Sequence, residues 1–359
     1  GRLARQGVAA GRCMKRLATL GLGACLLWLS GCSSVGYLYQ SWQGQRALMA
    51  RAEPIEHLIA DPQTDPQLAE RLRPASQIRR YAVEALALPD NTTYTRYAAL
   101  PGPYPLWNLF VTDELSLAPV QHCYPFFGCI AYKGYFDQDR AEQAAADWRA
   151  RGKDVYVAGI PAYSTLGWYN DPLFSSMLHW SDDYLAEMLF HELAHQRFYV
   201  KDDTAFNESY ASFVGQQGQR EWLKALGREA LDPVAGERLR VFVELVLGTR
   251  AELEALYQSE QSDDAKRRAK AALLAQLKVD YTAVRDQQWA GDPRFDHWFA
   301  ADLNNARLLP FGLYDQWVPA FECLYQRSSG WADFHQRVEA LGALAAEART
   351  AALGQQCGD

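Results

Sequence analysis

Several things are missing from this 359-residue chain, and each absence closes off a class of protein. No apolar run reaches the ~20 residues that a membrane-spanning helix needs. The run from Leu17 to Leu29 has 13. No basic stripe is present of the kind that nucleic-acid phosphates demand. There is no internal repeat and no long low-complexity linker, which excludes solenoids and disordered arrays. Histidine is scarce, with seven in the chain, so any pattern in its placement stands out. Apolar and aromatic residues are plentiful: 49% of the chain is hydrophobic, with 11 Trp, 19 Tyr and 15 Phe. That composition implies a large packed core and rules out a disordered chain. The length suits one large domain or two modest ones.

Charge is unevenly spread. Residues 1–31 hold five basic side chains (Arg2, Arg5, Arg12, Lys15, Arg16) and no acidic one. The remainder has 31 Lys and Arg against 43 Asp and Glu, a net charge of -12. An acidic body argues against a nucleic-acid partner. Met14-Lys15-Arg16 reads as the basic start of a secretory signal, and Leu17–Leu29 as its apolar segment. Residues 1–13 precede that start and are left out of the fold reasoning. The segment stops at Leu29-Ser30-Gly31-Cys32, which resembles the bacterial lipobox. The resemblance implies cleavage before Cys32, lipidation of its thiol, and a lipid-anchored periplasmic body of residues 32–359. Ser33 and Ser34 follow, with no Asp, which implies the outer membrane of the cell envelope.

Cysteine usage agrees with an oxidising compartment. Cys13 and Cys25 fall in the segment to be removed, and Cys32 would carry lipid. Cys123, Cys129, Cys323 and Cys357 remain, and four cysteines allow three pairings. Pro125 and Gly128 favour a tight reversal in His122–Cys129, so a local Cys123–Cys129 bridge is expected, leaving Cys323–Cys357 by elimination. A zinc site of Cys123, Cys129 and His122 is the rival reading, weakened because no second Cys pair of metal spacing follows.

The body reads as α+β and helix-dominated. Helices are expected over Tyr37–Ala52 and about Asp65–Leu88, punctuated by prolines. Short strands are expected around Leu106–Thr112, Leu115–Val120 and Ile130–Phe136. Asp137–Arg151 reads as a helix with Gly152 placed like a C-cap. Asp154–Ile160 is the clearest strand, and two helices fill 181–222. From about 233 onward the pattern is almost wholly helical. A sheet-containing part of about 90–230 is thus expected, then a helical part of about 231–359.

The chemistry concentrates in His191-Glu192-Leu193-Ala194-His195. Ser181 is a plausible N-cap, Asp182 and Asp183 suit the positive helix end, and Leu185, Met188 and Leu189 supply an apolar stripe. On a helix, His191 and His195 leave one face, about 5–6 Å apart at Cβ. That spacing suits two imidazoles on one tetrahedral zinc. Zinc lowers the pKa of a bound water towards ~7, and Glu192, one position round, is placed to take its proton. A catalytic zinc needs a third protein ligand. If Lys201–Asp203 turn and the next helix runs back, Glu208 lies beside the two histidines. Asp203 is the rival ligand, although its position suits a helix cap. The resulting order, H-E-x-x-H then Asn207-Glu208 on the next helix, resembles the gluzincin arrangement of metallopeptidases, with shorter spacing than thermolysin-like members. A metzincin is excluded, since no histidine follows His195 until His297.

Three blocks carry a further resemblance: Tyr163-Ser164-Thr165-Leu166-Gly167-Trp168-Tyr169-Asn170-Asp171-Pro172, then Phe190–Gln196, then Asp203–Glu208. Asn304-Asn305-Ala306-Arg307-Leu308 and Tyr314…Val318-Pro319-Ala320-Phe321 add to it. Over residues 32 to 330 the chain resembles the "putative aminopeptidase" family of proteobacterial lipoproteins. The resemblance implies a zinc-dependent peptidase acting on peptide N-termini, with one Zn2+ held by His191, His195 and Glu208 and with Glu192 as base. Asp154–Ile160 could hold substrate backbone by β-pairing, or be an ordinary edge strand. Tyr199, Tyr210, Tyr169, His297 and Tyr314 could stabilise an oxyanion. Asn304 and Asn305 could bind a substrate terminus or cap a helix. Trp168 and Tyr169 could wall a subsite. Two other readings stay open: a zinc endopeptidase on envelope proteins, and a non-catalytic metal-binding envelope lipoprotein.

Overall fold

In the computed structural model, residues 41–124, 128–162, 170–228, 233–311 and 317–357 are described. The chain divides into two units, Gly1–Ala50 and Arg51–Asp359. In the first, residues 41–50 form a helix, α1. The expected lipidation site, Cys32, lies outside the described residues. No helix of the described residues is long and apolar enough to cross a membrane.

The second unit is helix-dominated, with small sheets. β1 (Glu53–Pro54) pairs antiparallel with β2 (Arg96–Ala98), and β2 pairs parallel with β8 (Leu173–Phe174). Between them in sequence lie α2 (Ile55–Ala60) and α3 (Pro66–Glu84). α3 starts on an Asp65 cap and runs through Pro74, against the expected punctuation there.

The larger sheet has the order β6-β3-β7, from β3 (Leu106–Thr112), β6 (Tyr132–Tyr135) and β7 (Asp154–Ile160), antiparallel throughout. The period-2 rule sorts its side chains. Leu109, Val111 and Val155 face Ala141 and Ala145 of α4 (Gln138–Arg149). Phe110, Tyr156 and Ala158 face Ala306 and Leu309, at α10 (Asn305–Leu308). Gly152 ends the α4 segment at φ +72°, the left-handed conformation that glycine adopts without strain.

The expected strand at Leu115–Val120 does not form; a single bridge joins Thr112 and Pro119. Pro119 has no N–H to give a ladder. The carbonyls of Asp113, Glu114 and Ser116 instead accept from the Asn305 side-chain amide, at 3.3, 3.0 and 3.0 Å. The expected strand at Ile130–Phe136 is split, because Gly128–Ile130 (β5) pairs with His122–Tyr124 (β4). Cys123 and Cys129 face each other across that hairpin and are bonded, as are Cys323 and Cys357. With both sulfurs in a disulfide, Cys123 and Cys129 offer no thiolate to a metal.

A 3-10 turn (Ser175–His179) leads into α5 (Asp182–Arg197), and a short turn connects α5 to α6 (Thr204–Ala225). Beyond them, α7 (Pro233–Gln258) and α8 (Asp263–Gln288) form a long hairpin. Its core is Phe242, Val246, Leu274, Leu277 and Tyr281, joined by Trp298 and Phe299 of α9 (Asp296–Ala300). Burying such large side chains at about 1.5–3 kcal/mol each makes this hairpin part of the core. Last come α11 (Val318–Gln326), α12 (Trp331–Gly342) and α13 (Ala346–Gly354). They pack around α6.

Candidate metal centre

α5 begins where the sequence says it should. The Ser181 hydroxyl accepts from Tyr184 N, and Asp182 and Asp183 occupy the first turn. A residue far off in the chain fixes this start. Arg71 of α3 donates to the carbonyls of Leu178 (3.1 Å) and Trp180 (2.8 Å) and to Asp182 Oδ1 (2.8 Å).

The reversal between α5 and α6 is compact. Asp202 takes φ +61°, which Asp tolerates better than most residues. Asp203 caps α6 by accepting from Phe206 N at 3.0 Å, while its other oxygen binds Arg349 of α13. Both oxygens are engaged, so Asp203 acts here as a cap and not as a metal ligand.

α6 then runs antiparallel to α5, as three pairs along its length show: Asn207 with Val200, Gly215 with His191, and Gln219 with the Asp183 carbonyl. Two glycines allow the close approach. A Cβ on Gly215 would stand 2.8 Å from the Glu187 carbonyl oxygen and 3.3 Å from His191 Cβ. One on Gly218 would stand 2.9 Å from the Phe190 ring. The spacing Gly215-Gln216-Gln217-Gly218 is the sequence signal that marks this close approach.

The result is a tight triad. His191 Nε2 and His195 Nε2 are 3.2 Å apart, and Glu208 Oε2 lies 3.4 and 3.5 Å from them. His191 and His195 are buried, and the Glu208 side chain is 21% exposed. Two ligand atoms ~2.0–2.1 Å from a tetrahedral zinc stand about 3.3 Å apart. The three atoms therefore have the mutual spacing of one metal's ligands, and the donor set of two imidazoles and a carboxylate suits a divalent ion. Among the described residues, this is the group of His, Cys, Asp and Glu side chains placed to hold a metal.

Electrostatics agree. Burial alone would raise the Glu208 carboxyl, but its hydrogen bonds and charge interactions with His191 and His195 outweigh this and hold it at about 2. Burial likewise opposes a charge on His195, yet Glu208 and then Glu192 overcome it and raise the imidazole above its ordinary value. A carboxylate that stabilises positive charge on His195 in this way is one that a dication can satisfy instead. Glu192 is itself buried beside the triad.

The other expected site residues fall into four groups. Tyr199, on the α5–α6 connection, is 46% exposed, with its phenol raised by burial first and then by the charges of Glu208 and Asp202. Tyr210, Asn304 and Asn305 face inward. The Tyr210 hydroxyl is 2.9 Å from His335 Nδ1 in the core. Asn304 caps α10 and donates to the Val155 carbonyl, while Asn305 binds the 113–116 carbonyls and accepts from Tyr257. His297 is exposed on α9. Tyr169, Trp168 and Tyr314 lie outside the described residues. Tyr184, not among the expected site residues, has its phenol raised by burial and then by Glu187 and Glu192.

β7 is an edge strand. Asn304 covers its Val155 end, and towards Ile160 its second edge has no partner among the described strands. Pro161, just past β7, accepts from Ser176 Oγ at 2.6 Å, which ties this end to the turn that leads into α5.

No curated protein and no solved structure matches the chain. One family model does, and it covers residues 36–353, nearly the whole chain. On that match, and with peptidase chemistry as its coarse implication, the chain belongs to the family described as "Putative aminopeptidase".

Proposed function

We propose that this protein is a lipid-anchored zinc peptidase of the cell envelope, gluzincin-like in its ligand order, which removes residues from free peptide N-termini. The observation that carries the reading is the 3.2–3.5 Å triangle of His191 Nε2, His195 Nε2 and Glu208 Oε2. His191, His195 and Glu208 would hold one Zn2+ per chain. Zinc bound there supplies Lewis-acid polarisation of a carbonyl and a lowered pKa for water.

The chain's own residues do the rest. Glu192, next to a ligand in sequence and buried, takes a proton from water and passes it to the leaving amine. Tyr199, whose phenol feels the Glu208 charge and is half open to solvent, donates its phenolic hydrogen to the substrate carbonyl oxygen as charge develops there. The edge of β7 towards Ile160, which has no partner among the described strands, orients the peptide backbone by strand pairing. Family membership supports peptide hydrolysis. The Leu29–Cys32 lipobox resemblance supports the anchor, with the body in the periplasm and the lipid in the outer membrane.

The test is activity on free-amine and N-terminally blocked peptides by a soluble form starting at Ser33, with metal analysis. One zinc per chain and cleavage of free-amine peptides alone is the expected result. Glu192→Gln should bind zinc and be inactive, and Glu208→Ala should lose zinc. Equal cleavage of blocked peptides would replace the aminopeptidase reading with an endopeptidase. Zinc without cleavage would favour a non-catalytic role, and absence of bound metal would overturn the ligand set.

A further inference from the structure

The α5–α6 connection holds one exposed side chain between two half-buried anchors. Phe198 has extended backbone, φ -155° and ψ 140°, so successive side chains leave on opposite sides. Phe198 and Val200 pack against α12, where a Cβ on Gly342 would stand 2.3 Å from the Phe198 ring and 2.9 Å from a Val200 methyl. Tyr199, between them, is turned outward.

The backbone at this point is gripped by one residue. Asn207 Oδ1 accepts from Val200 N at 2.8 Å, and Asn207 Nδ2 donates to Val200 O at 2.7 Å. Asn207 is 1% exposed, and its amide spends an acceptor and a donor on a single residue of the loop. A buried amide in the first turn of a helix costs free energy unless its groups are satisfied. Here they are satisfied by the residue next to Tyr199 in sequence. Asn207 is itself next to Glu208, so one helical turn presents the third ligand and fixes the loop.

We infer that Asn207 is a positioning residue: by clamping both backbone groups of Val200 it holds the Tyr199 phenol in register with Glu208, making the phenol and the metal triad one rigid unit. The inference rests on the metallopeptidase reading and deepens it. Asn207 touches neither substrate nor metal in this role. It acts through Val200 and Tyr199.

The experiment is a double-mutant cycle on the soluble protein, with Tyr199→Phe, Asn207→Ala and both together. Tyr199→Phe is expected to lower kcat about a hundredfold. Asn207→Ala is expected to lower kcat at least about tenfold through misplacement, with KM and zinc content little changed. In the Tyr199→Phe background, Asn207→Ala should cost nothing further, because there is no longer a phenol to place. An equal loss in both backgrounds would show a merely structural role and overturn the inference. If Asn207→Ala does not fold, Asn207→Asp keeps the acceptor for Val200 N and carries the same cycle.

A second readout does not need activity. With 3-fluorotyrosine at position 199, the fluorine resonance should shift on adding zinc to the native protein and stay unshifted in Asn207→Ala. That pattern in a protein that cleaves no peptide upholds the positioning role while the peptidase reading falls. A shift of the same size in both proteins, or none in the native one, overturns the positioning role.

Discussion

Gly215 of α6 lies against His191 of α5, leaving 3.3 Å between the histidine Cβ and the place where a side chain would begin. The nearer neighbour at that place is a backbone carbonyl oxygen, Glu187 O at 2.8 Å, which cannot swing aside as a side-chain tip can. The spacing of the two helices therefore sets the spacing of the triad. Gly215→Ala should push them apart, cost about 1–3 kcal/mol by overpacking, and weaken zinc binding though no ligand is touched. Denaturant unfolding and a competitive zinc titration check both. Unchanged zinc affinity would mean that the helices do not transmit the displacement.

Zinc should also appear as stability. A ligand that binds only the folded state stabilises it by about 3 kcal/mol at a hundredfold excess over Kd. Chelation should lower Tm, and added zinc should restore it. In His195→Ala, which lacks one corner of the triangle, Tm should respond to neither treatment.

Arg349 tests the anchoring of α6 from the far end of the chain. It is buried, it binds Asp203 at 2.6 and 2.8 Å, and it also donates to the carbonyls of Gly342 and Leu344. Arg349→Met leaves those acceptors and a carboxylate without their donor, a loss of about 3 kcal/mol. Urea unfolding measures it. A loss below about 1 kcal/mol would mean that the Asp203 cap stands without its partner.

His335 predicts a pH dependence outside the metal centre. Its Nε2 is 2.9 Å from the Leu86 carbonyl, which can only accept, so Nε2 carries the hydrogen and Nδ1 accepts from Tyr210. Burial chiefly lowers this imidazole to about 4. The unfolded chain protonates near pH 6.5 while the folded one stays neutral, so the unfolded state binds the extra proton. Stability is full above about pH 6.5 and falls by about 3 kcal/mol as pH drops towards 4. His335→Gln should flatten that part of the stability curve relative to the native protein. An unflattened curve would assign the acid sensitivity to other groups.

Much of the site is readable from local signals. Ser181 caps α5, Asp203 caps α6, Gly152 ends the α4 segment, and the His191/His195 spacing works because one helix carries it. Other features depend on partners remote in sequence. The Leu115–Val120 segment has strand-like residues, but the Asn305 amide, about 190 residues away, takes the carbonyls that a strand would have used. Arg71 meets the start of α5 across more than 100 residues. Asn304 and Asn305 look available on paper, as polar side chains near a helix start. In the fold their hydrogen-bonding groups turn inward to join β7 and the 113–116 segment.

α6 is bonded along its length to the last part of the chain: Asp203 to Arg349, Ser209 to Trp317 N, Tyr210 to His335, and Glu221 to Tyr325 and Trp331. His191, His195 and Glu208 all precede in the chain the helices that hold α6 in place. A chain cut short before residue 317 would lack every one of these bonds, so the seating of Glu208 beside His191 and His195 leans on segments more than 100 residues further along the chain.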